Sequence, residues 1–188
     1  MRDLIVTENI TVDGVIDATG GWFGPADNET EADQVEAVRE QFEAADAVLF
    51  GRVTFEEMRG YWPHQTDDTT GVADYLNKVT KYVASRTLRD PQWDNTTVLR
   101  GPLTAEIRDL KVEPGADIVA TGSISLVHSL MAAGLVNEYR LFQHPVVLGR
   151  GARLFPDGMP LPPLRLAEAR AFDSGVVLLR YRASTSRE

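Results

Sequence analysis

The sequence predicts one α/β domain spanning residues 1–188, built on a mixed, mostly parallel sheet with helices on both faces. Up to about residue 135, short apolar runs alternate with segments whose apolar residues recur at helical spacing. The chain ends differently, in two strand-like segments joined by Asp173-Ser-Gly175, which is typical of an antiparallel hairpin. The chain has 188 residues and no cysteine, so it is long enough to bury a core without disulfides.

The first part of the chain predicts strand, loop, helix and strand in that order. Residues 4–12 are rich in β-branched side chains and precede the turn pair Asp13-Gly14, so they predict a first strand. Residues 17–29 are rich in Gly, Asp and Asn and predict a loop. Val35, Val38, Phe42 and Ala45 then mark one face of a helix, which leads into a buried strand at 47–50.

The rest of the chain repeats this alternation before it reaches the hairpin. Three further helices are predicted after Gly51, at 72–79 and at 105–110, and a fourth begins at Ile124. Strands are predicted at 81–84, 96–99 and 118–120, and a long strand region at 138–149 is interrupted at Pro145. The predicted hairpin pairs residues 164–171 with residues 176–181.

Small or basic residues follow three of the predicted strands directly. These clusters are Gly51-Arg52, Ser85-Arg86-Thr87 and Gly122-Ser123. Parallel strands bring their carboxyl ends to one edge of a sheet, where ligands bind in such folds. Backbone N–H groups, hydroxyls and two guanidinium groups suit several phosphates of one dinucleotide. Each junction alone is also compatible with a plain connection, with Arg52 and Arg86 exposed to solvent.

Composition excludes several other classes of partner. The net charge is −9 with no basic patch, which argues against nucleic acid or an anionic membrane as the main partner. No signal peptide or membrane-spanning run is evident, so we expect a cytoplasmic protein. The three histidines lie far apart without metal-ligand spacing, so no metal site is predicted. Arginine outnumbers lysine 16 to 3, which is typical of a bacterial genome of high GC content.

Several motifs together resemble the dihydrofolate-reductase-like fold and, within it, the reductase domain of riboflavin biosynthesis known as the RibD C-terminal domain. The motifs lie in residues 11–16, 51–56, 81–87, 122–126, 134–142, 145–149 and 154–155. Each pattern is weak alone, but their order and spacing span nearly the whole chain. The resemblance implies a three-layer α/β/α fold, a stand-alone reductase domain and, as relatives often form, a homodimer.

NADPH is the cofactor that this resemblance implies. Residues matching the family's motifs would place Gly51, Arg52 and Thr54 at the phosphates, and Ser85, Arg86 and Thr87 at the adenosine end. Arg86 would select NADPH over NADH, because a guanidinium suits the dianionic 2′-phosphate better than a ribose hydroxyl. The pyrophosphate would lie at Gly122, Ser123, Ile124, Ser125 and Leu126, and Ile16 would touch the nicotinamide ring. Many relatives have a second glycine where this chain has Ile124, which is equally suited to core packing.

The acidic group is open between two aspartates. Trp22-Phe-Gly-Pro-Ala-Asp27 resembles the Trp-x-x-Pro-x-Asp segment of dihydrofolate reductases, which implies that Asp27 binds substrate or relays its proton. Asp27 is equally suited to a place before a helix, where the dipole favours an acid. Asp13 matches a position typical of the family, but an ordinary turn aspartate explains it as well. Trp22 is either a loop anchor or a platform for substrate.

Three functions are compatible with these residues. The leading one is an NADPH-dependent reductase of a small heterocycle or ribosylaminopyrimidine, similar to 5-amino-6-(5-phosphoribosylamino)uracil reductase. The second is a dihydrofolate or pterin reductase, which would need an aromatic-lined pocket with a buried carboxylate. The third is a non-catalytic nucleotide-binding module. No zinc-deaminase motif accompanies the reductase motifs, so a role in riboflavin biosynthesis rests on the resemblance alone.

Overall fold

A single eight-stranded sheet forms the centre of the protein in the computed structural model, which describes residues 1–24 and 31–184. The strand order is β4-β3-β2-β5-β1-β6-β8-β7. Strands β1 to β6 run parallel, and β8 is antiparallel to both β6 and β7. The predicted mixed sheet with an antiparallel end is confirmed. The strands are β1 (Leu4–Thr11), β2 (Ala45–Gly51), β3 (Thr80–Ala84), β4 (Thr96–Leu99), β5 (Asp117–Ala120), β6 (Glu138–His144), β7 (Leu164–Ala171) and β8 (Val177–Ala183).

Five α-helices cover the two faces of this sheet. Buried residues of α4 and α5 pack against Leu4, Val6 and Leu49 on one face. Helices α2 and α3 pack against Val48, Phe50 and Val83 on the other face, where α1 also lies against Phe142. This gives the three layers expected of the fold. The helices are α1 (Ala32–Glu43), α2 (Arg52–Tyr61), α3 (Val72–Lys78), α4 (Leu103–Val112) and α5 (Ile124–Ala132).

Two element boundaries differ from the sequence prediction. Ala45 was predicted on the apolar face of the first helix, but α1 ends at Glu43 and Ala45 opens β2. Only Ala44 separates α1 from β2, so the spacing of apolar residues does not show where the helix ends. The register of β2 against β5 also shifts between Ala45 and Ala47. The predicted strand region 138–149 ends at His144, because Pro145 has no N–H to donate to a sheet neighbour.

The central position of β1 determines where ligands can enter. β1 lies between β5 and β6, and its pairing with β5 ends at Val6 and Ala120, whereas its pairing with β6 continues to Thr11 and His144. Beyond Val6, β1 therefore separates from the segment that follows β5. The opening lies at the carboxyl edge of the sheet, where parallel α/β folds bind ligands.

Candidate active site

A cleft of about 760 Å³ runs along the carboxyl ends of β2, β3, β4 and β5. The predicted strand-end clusters meet in it, so three segments far apart in sequence form one surface. No metal-binding group of three or more acidic or histidine side chains is found among the residues that the structure describes. The predicted cofactor residues that line the cleft are Gly51, Arg52, Ser85, Arg86, Ser123, Ser125 and Leu126.

Two glycine-containing turns interlock at the floor of this cleft. The backbone N–H of Gly51 donates to the carbonyl of Gly122 at 3.1 Å. A Cβ at Gly51 would collide with Ser123 Oγ, and a Cβ at Gly122 would lie 2.7 Å from Thr54 Oγ1. Gly122 also has φ +63°, and a cis peptide joins it to Ser123. Both turns therefore require glycine, which brings the N-terminus of α5 close to β2.

The first turn of α5 supplies backbone donors to the cleft. Ser123 precedes the helix, and no side chain caps its start. The first N–H groups of a helix have no partners within the helix and attract anions. The hydroxyls of Ser123 and Ser125 lie 3.4 Å apart beside these donors. This arrangement fits a phosphate group.

Arginine side chains from three consecutive strand ends surround the cleft. Arg52 Nη1 bonds Glu56 Oε2 at 2.7 Å, one turn along α2. Arg86 is exposed and contacts no acidic side chain among the described residues. Arg100 donates to the carbonyl of Leu88 at 2.7 Å and was not predicted, although it follows β4 just as Arg52 and Arg86 follow their strands. Three guanidinium groups thus reach this cleft, although Arg52 is paired with Glu56 and the carboxylate of Glu106 also lies in the lining.

The other predicted cofactor residues lie around the cleft without lining it. Thr54 lies against Gly122, and Thr87 is an exposed residue whose backbone N–H bonds Ser85 Oγ at 3.2 Å. The same Ser85 oxygen accepts from Leu88 N–H at 3.0 Å, so Ser85 also shapes the turn that carries Arg86. Ile124 is partly buried against the core, and Ile16 lies within the core itself.

A second, smaller cavity of about 230 Å³ lies on the α1 side of the sheet. Its walls are mainly apolar and aromatic, and Phe42 and Tyr75 are stacked with ring centroids 4.0 Å apart. The buried side-chain amides of Gln34 and Gln41 face it from α1. Other lining residues include Thr7, Glu8, Asn9, Phe50, Trp62, Thr121 and Phe142.

Glu8 links the two cavities, and the sequence analysis missed it. Glu8 belongs to the lining of the smaller cavity, and its Oε1 accepts the N–H of Gly122 at 2.8 Å. Glu8 lies just beyond the point where β1 separates from β5, so its carboxyl reaches the turn that follows β5. Burial raises the pKa of Glu8 to about 8, against the lowering effect of the Gly122 hydrogen bond. A lone acid among the apolar residues of the first predicted strand was the available signal.

The environment of Asp13 suits a turn aspartate. Its carboxylate accepts the Thr11 hydroxyl at 2.7 Å and the backbone N–H groups of Gly149 and Leu148 at 2.8 and 3.3 Å. These hydrogen bonds, chiefly that of Thr11, lower the pKa of Asp13 to about 2. Asp13 is therefore ionised at neutral pH and ties the turn after β1 to the segment after β6.

Trp22 is held as a loop anchor in the described part of its loop. Its indole Nε1 donates to the carbonyl of Asp17 at 2.7 Å, and its ring lies edge-on to His144 with centroids 5.4 Å apart. His144 Nε2 lies 2.9 Å from Asn9 Oδ1 at the smaller cavity, and burial lowers the pKa of His144. Asp27, the other predicted acid, lies outside the described residues.

Comparison with known proteins agrees with this geometry. The family model described as RibD C-terminal domain matches residues 2–178. The chain belongs to the RibD C-terminal domain family. This is a family of reductases that typically use NAD(P)H, and the suspected family resemblance is thereby confirmed.

None of the described helices combines the length and apolar composition needed to cross a membrane.

Two similar proteins come from Bacillus subtilis (strain 168), and both are uncharacterised. YyaP is 32% identical over 183 residues, covering 96% of this chain and 94% of its own length. YwjB is 28% identical over 182 residues, covering 97% and 99%. The similarity therefore extends over nearly the whole length of both relatives.

Solved structures share the fold at lower sequence identity. A pyrimidine reductase-like protein from Corynebacterium diphtheriae has a TM-score of 0.64 at 16% identity, covering 98% of this chain and 93% of its own. A deaminase/5-amino-6-(5-phosphoribosylamino)uracil reductase from Thermotoga maritima has a TM-score of 0.65 at 15% identity. That match covers 97% of this chain but 57% of the Thermotoga chain.

Proposed function

We propose that this protein is an NADPH-dependent reductase of a small heterocyclic acceptor. The observation that supports it most is the convergence of interlocked glycine turns, the start of α5 and three arginines on one cleft. Such a surface suits the several phosphates of a dinucleotide. NADPH would supply a hydride when bound.

The residues of the cleft fit the charged parts of this cofactor. The N–H groups at the start of α5 and the hydroxyls of Ser123 and Ser125 would hold the pyrophosphate. Arg86, free of acidic partners among the described side chains, would pair with the 2′-phosphate that distinguishes NADPH from NADH. Arg100 would assist Arg86, because it lines the same end of the cleft and its guanidinium is held by a hydrogen bond to the carbonyl of Leu88.

The acceptor would bind in the smaller cavity on the α1 side. Glu8 connects this cavity to the cofactor turn through its bond to Gly122, so that acceptor and cofactor would meet where β1 separates from β5. Reduction also needs a proton at the atom next to the hydride-accepting carbon. Asp27 remains the predicted source or relay of that proton, since Asp13 is ionised at neutral pH. Both a ribosylaminopyrimidine and a pterin satisfy this general scheme.

Titration with NADPH and NADH tests the cofactor assignment. We expect NADPH to bind with a Kd in the micromolar range and NADH to bind more weakly. Arg86→Ala should weaken NADPH binding about tenfold to a hundredfold, because a charge-assisted pair is lost, and should leave NADH binding unchanged. Nicotinamide and tryptophan fluorescence report both affinities.

Arg89→Ala is the matched control for this experiment. Arg89 is exposed three residues after Arg86 and does not line the cleft, so its loss should not affect NADPH affinity. If NADPH affinity falls equally in both variants, the loss is caused by the change in net charge and not by a specific contact of Arg86. If neither nucleotide binds to the wild-type protein, the reductase proposal fails; if NADPH binds but no heterocycle is reduced, the non-catalytic module is favoured.

A further inference from the structure

The smaller cavity carries two buried amide groups whose donors have no partner among the described residues. Gln34 and Gln41 lie on one face of α1 and are only 5% and 8% exposed. The carbonyl oxygen of Gln34 accepts from the Ser174 hydroxyl and that of Gln41 from the Thr7 hydroxyl, each at 3.2 Å. No described residue accepts a hydrogen bond from either amide nitrogen. Every fully enclosed polar side-chain atom among the described residues has a partner, so neither nitrogen is fully enclosed. Because both side chains line the cavity, their amide nitrogens are available to a ligand bound there.

Cationic side chains are absent from the described lining of this cavity. Its titratable members are Glu8 and Tyr75, and burial raises the pKa of Tyr75 to about 12, so the phenol is uncharged. Arg39 is the neighbouring cation on α1, but its guanidinium donates to the carbonyls of Thr70 and Thr69 at 2.9 Å. His144, beyond Asn9, is kept neutral near pH 7 by burial, which lowers its pKa.

Shape and volume add a further restriction on the ligand. The volume of about 230 Å³ is below the roughly 300–1,000 Å³ typical of clefts for drug-sized ligands. The stacked rings of Phe42 and Tyr75 form one wall with an interplanar angle of 9°, and Phe50, Trp62 and Phe142 add further aromatic surface. Flat aromatic walls suit a planar ring system, and free amide donors suit its carbonyl or ring-nitrogen acceptors.

We propose that this cavity binds an uncharged planar heterocycle through the amide N–H groups of Gln34 and Gln41, and that it discriminates against phosphorylated acceptors. The inference rests on the proposed reductase function and narrows its substrate class. A phosphate carries about −1.5 to −2 charges near pH 7 and would find no free cation among the described lining residues. The phosphate would lose its hydration without gaining an ion pair in return, so the phosphorylated compound should bind more weakly.

A pair of ligands that differ only by a phosphate tests this proposal. We would compare 5-amino-6-(5-phosphoribosylamino)uracil with the same compound after phosphatase treatment, and include lumazine as an uncharged bicyclic ring. Binding to the full chain is followed by calorimetry with NADPH present and with NADPH absent. We expect lumazine and the dephosphorylated compound to bind with a Kd below about 1 mM, at least about tenfold more tightly than the phosphorylated one.

Gln34→Leu and Gln41→Leu test the role of the two amides. Each change keeps the side-chain size and removes the free donor, so lumazine affinity should fall about tenfold in each variant. Gln65→Leu makes the same chemical change outside the cavity and should leave the affinity unchanged. Circular dichroism confirms that each variant is folded before binding is compared.

The outcomes separate this inference from the proposed function. Equal or tighter binding of the phosphorylated compound overturns the inference, as does no binding of either uncharged ligand to the wild-type protein. Unchanged lumazine affinity in both folded glutamine variants also overturns it. Failure of NADPH to bind, with lumazine binding intact, contradicts the reductase function instead and leaves the ligand class of the cavity standing.

Discussion

Glu8 is an acidic residue within the central strand β1, where it pairs with the buried Leu141 of β6. Its carboxyl accepts a hydrogen bond from the backbone N–H of Gly122 at 2.8 Å, and no cation pairs with it among the described side chains. Burial is the larger influence on this carboxyl and favours its protonated form. Glu8 is thus suited to holding the Gly122 turn in position rather than to pairing with a base.

Replacing Glu8 tests this interpretation through the pH dependence of stability. The pKa is about 8 in the folded protein against 4.5 for an unperturbed glutamate, so the unfolded chain loses its proton first as pH rises. Stability should fall between about pH 4.5 and pH 8 through this group. Glu8→Gln keeps a carbonyl acceptor for Gly122, so the variant should be more stable than the wild type by about 4 kcal/mol at pH 8 and similar to it at pH 4.5.

Thermal unfolding followed across this pH range measures the difference. Glu113→Gln, at an exposed position, is the control and should track the wild type. A constant difference between Glu8→Gln and the wild type at every pH would show that the carboxyl does not titrate with a raised pKa.

Individual site residues differed in how well the sequence revealed them. Gly51, Arg86 and Ser123 could be predicted because each follows an apolar run directly, and parallel strands end at a common edge. Arg100 obeys the same rule and was overlooked. The roles of Gln34 and Gln41 depend on which face of α1 borders the cavity. The spacing of residues along the helix does not reveal this, because it depends on how α1 packs against the sheet.

At the scale of elements, the antiparallel end of the sheet is joined by a chain of ion pairs. Glu138 on β6 is 1% exposed, and its carboxylate meets Arg140 at 2.7 Å, Arg180 at 2.9 Å and Arg182 at 3.2 Å. Glu168 on β7 continues the chain through Arg180 and Arg170, and Arg170 reaches Glu40 on α1 at 2.6 Å. The network thus connects β6, β8, β7 and α1.

Removing the buried charge at the centre of this network should weaken the sheet. Glu138→Gln leaves three guanidinium groups without their shared carboxylate, and we expect a loss of about 3 kcal/mol in the free energy of unfolding. Glu40→Gln, at the half-exposed end of the chain, should cost less than about 1 kcal/mol. Urea denaturation provides both values, and equal losses in the two variants would contradict a special role for the buried carboxylate.

The elements themselves were largely predictable because apolar periodicity is strong in most of them. The predictions erred at Ala45 and at 145–149, where helix and strand adjoin without a loop and where a proline ends the strand. Both errors are at element boundaries, where the sequence pattern is compatible with either neighbour. The ion-pair network was not predictable, since its members come from four separate segments.

For the whole molecule, the continuous sheet predicts a single cooperative unfolding transition. Trp93 is buried at one side of the fold, while the Glu138 network lies at the other, and all described strands join one sheet. Tryptophan fluorescence and far-UV circular dichroism should therefore give one coincident transition. NADPH at a hundred times its Kd should stabilise the fold by about 2.7 kcal/mol and move both signals together. Separate midpoints would show that the two ends unfold independently.

The predicted homodimer is testable in the same experiment. Tyr139 and Phe142 of β6 are buried within the chain itself, so they are not available for a twofold contact. If the dimer forms, the midpoint of thermal unfolding should fall on tenfold dilution, because dissociation accompanies unfolding. A midpoint independent of concentration, together with the mass of one chain in sedimentation, would contradict the dimer.

The interlocked turns at Gly51 and Gly122 also constrain how this site can diversify. Because a methyl group at position 51 would occupy the space of Ser123 Oγ, the residue allowed at one turn depends on the residue at the other. In a library that varies positions 51 and 123, alanine at position 51 should survive selection only together with glycine at position 123. The order of the changes then matters: replacing Gly51 first creates the clash, whereas replacing Ser123 by glycine first removes the obstructing side chain.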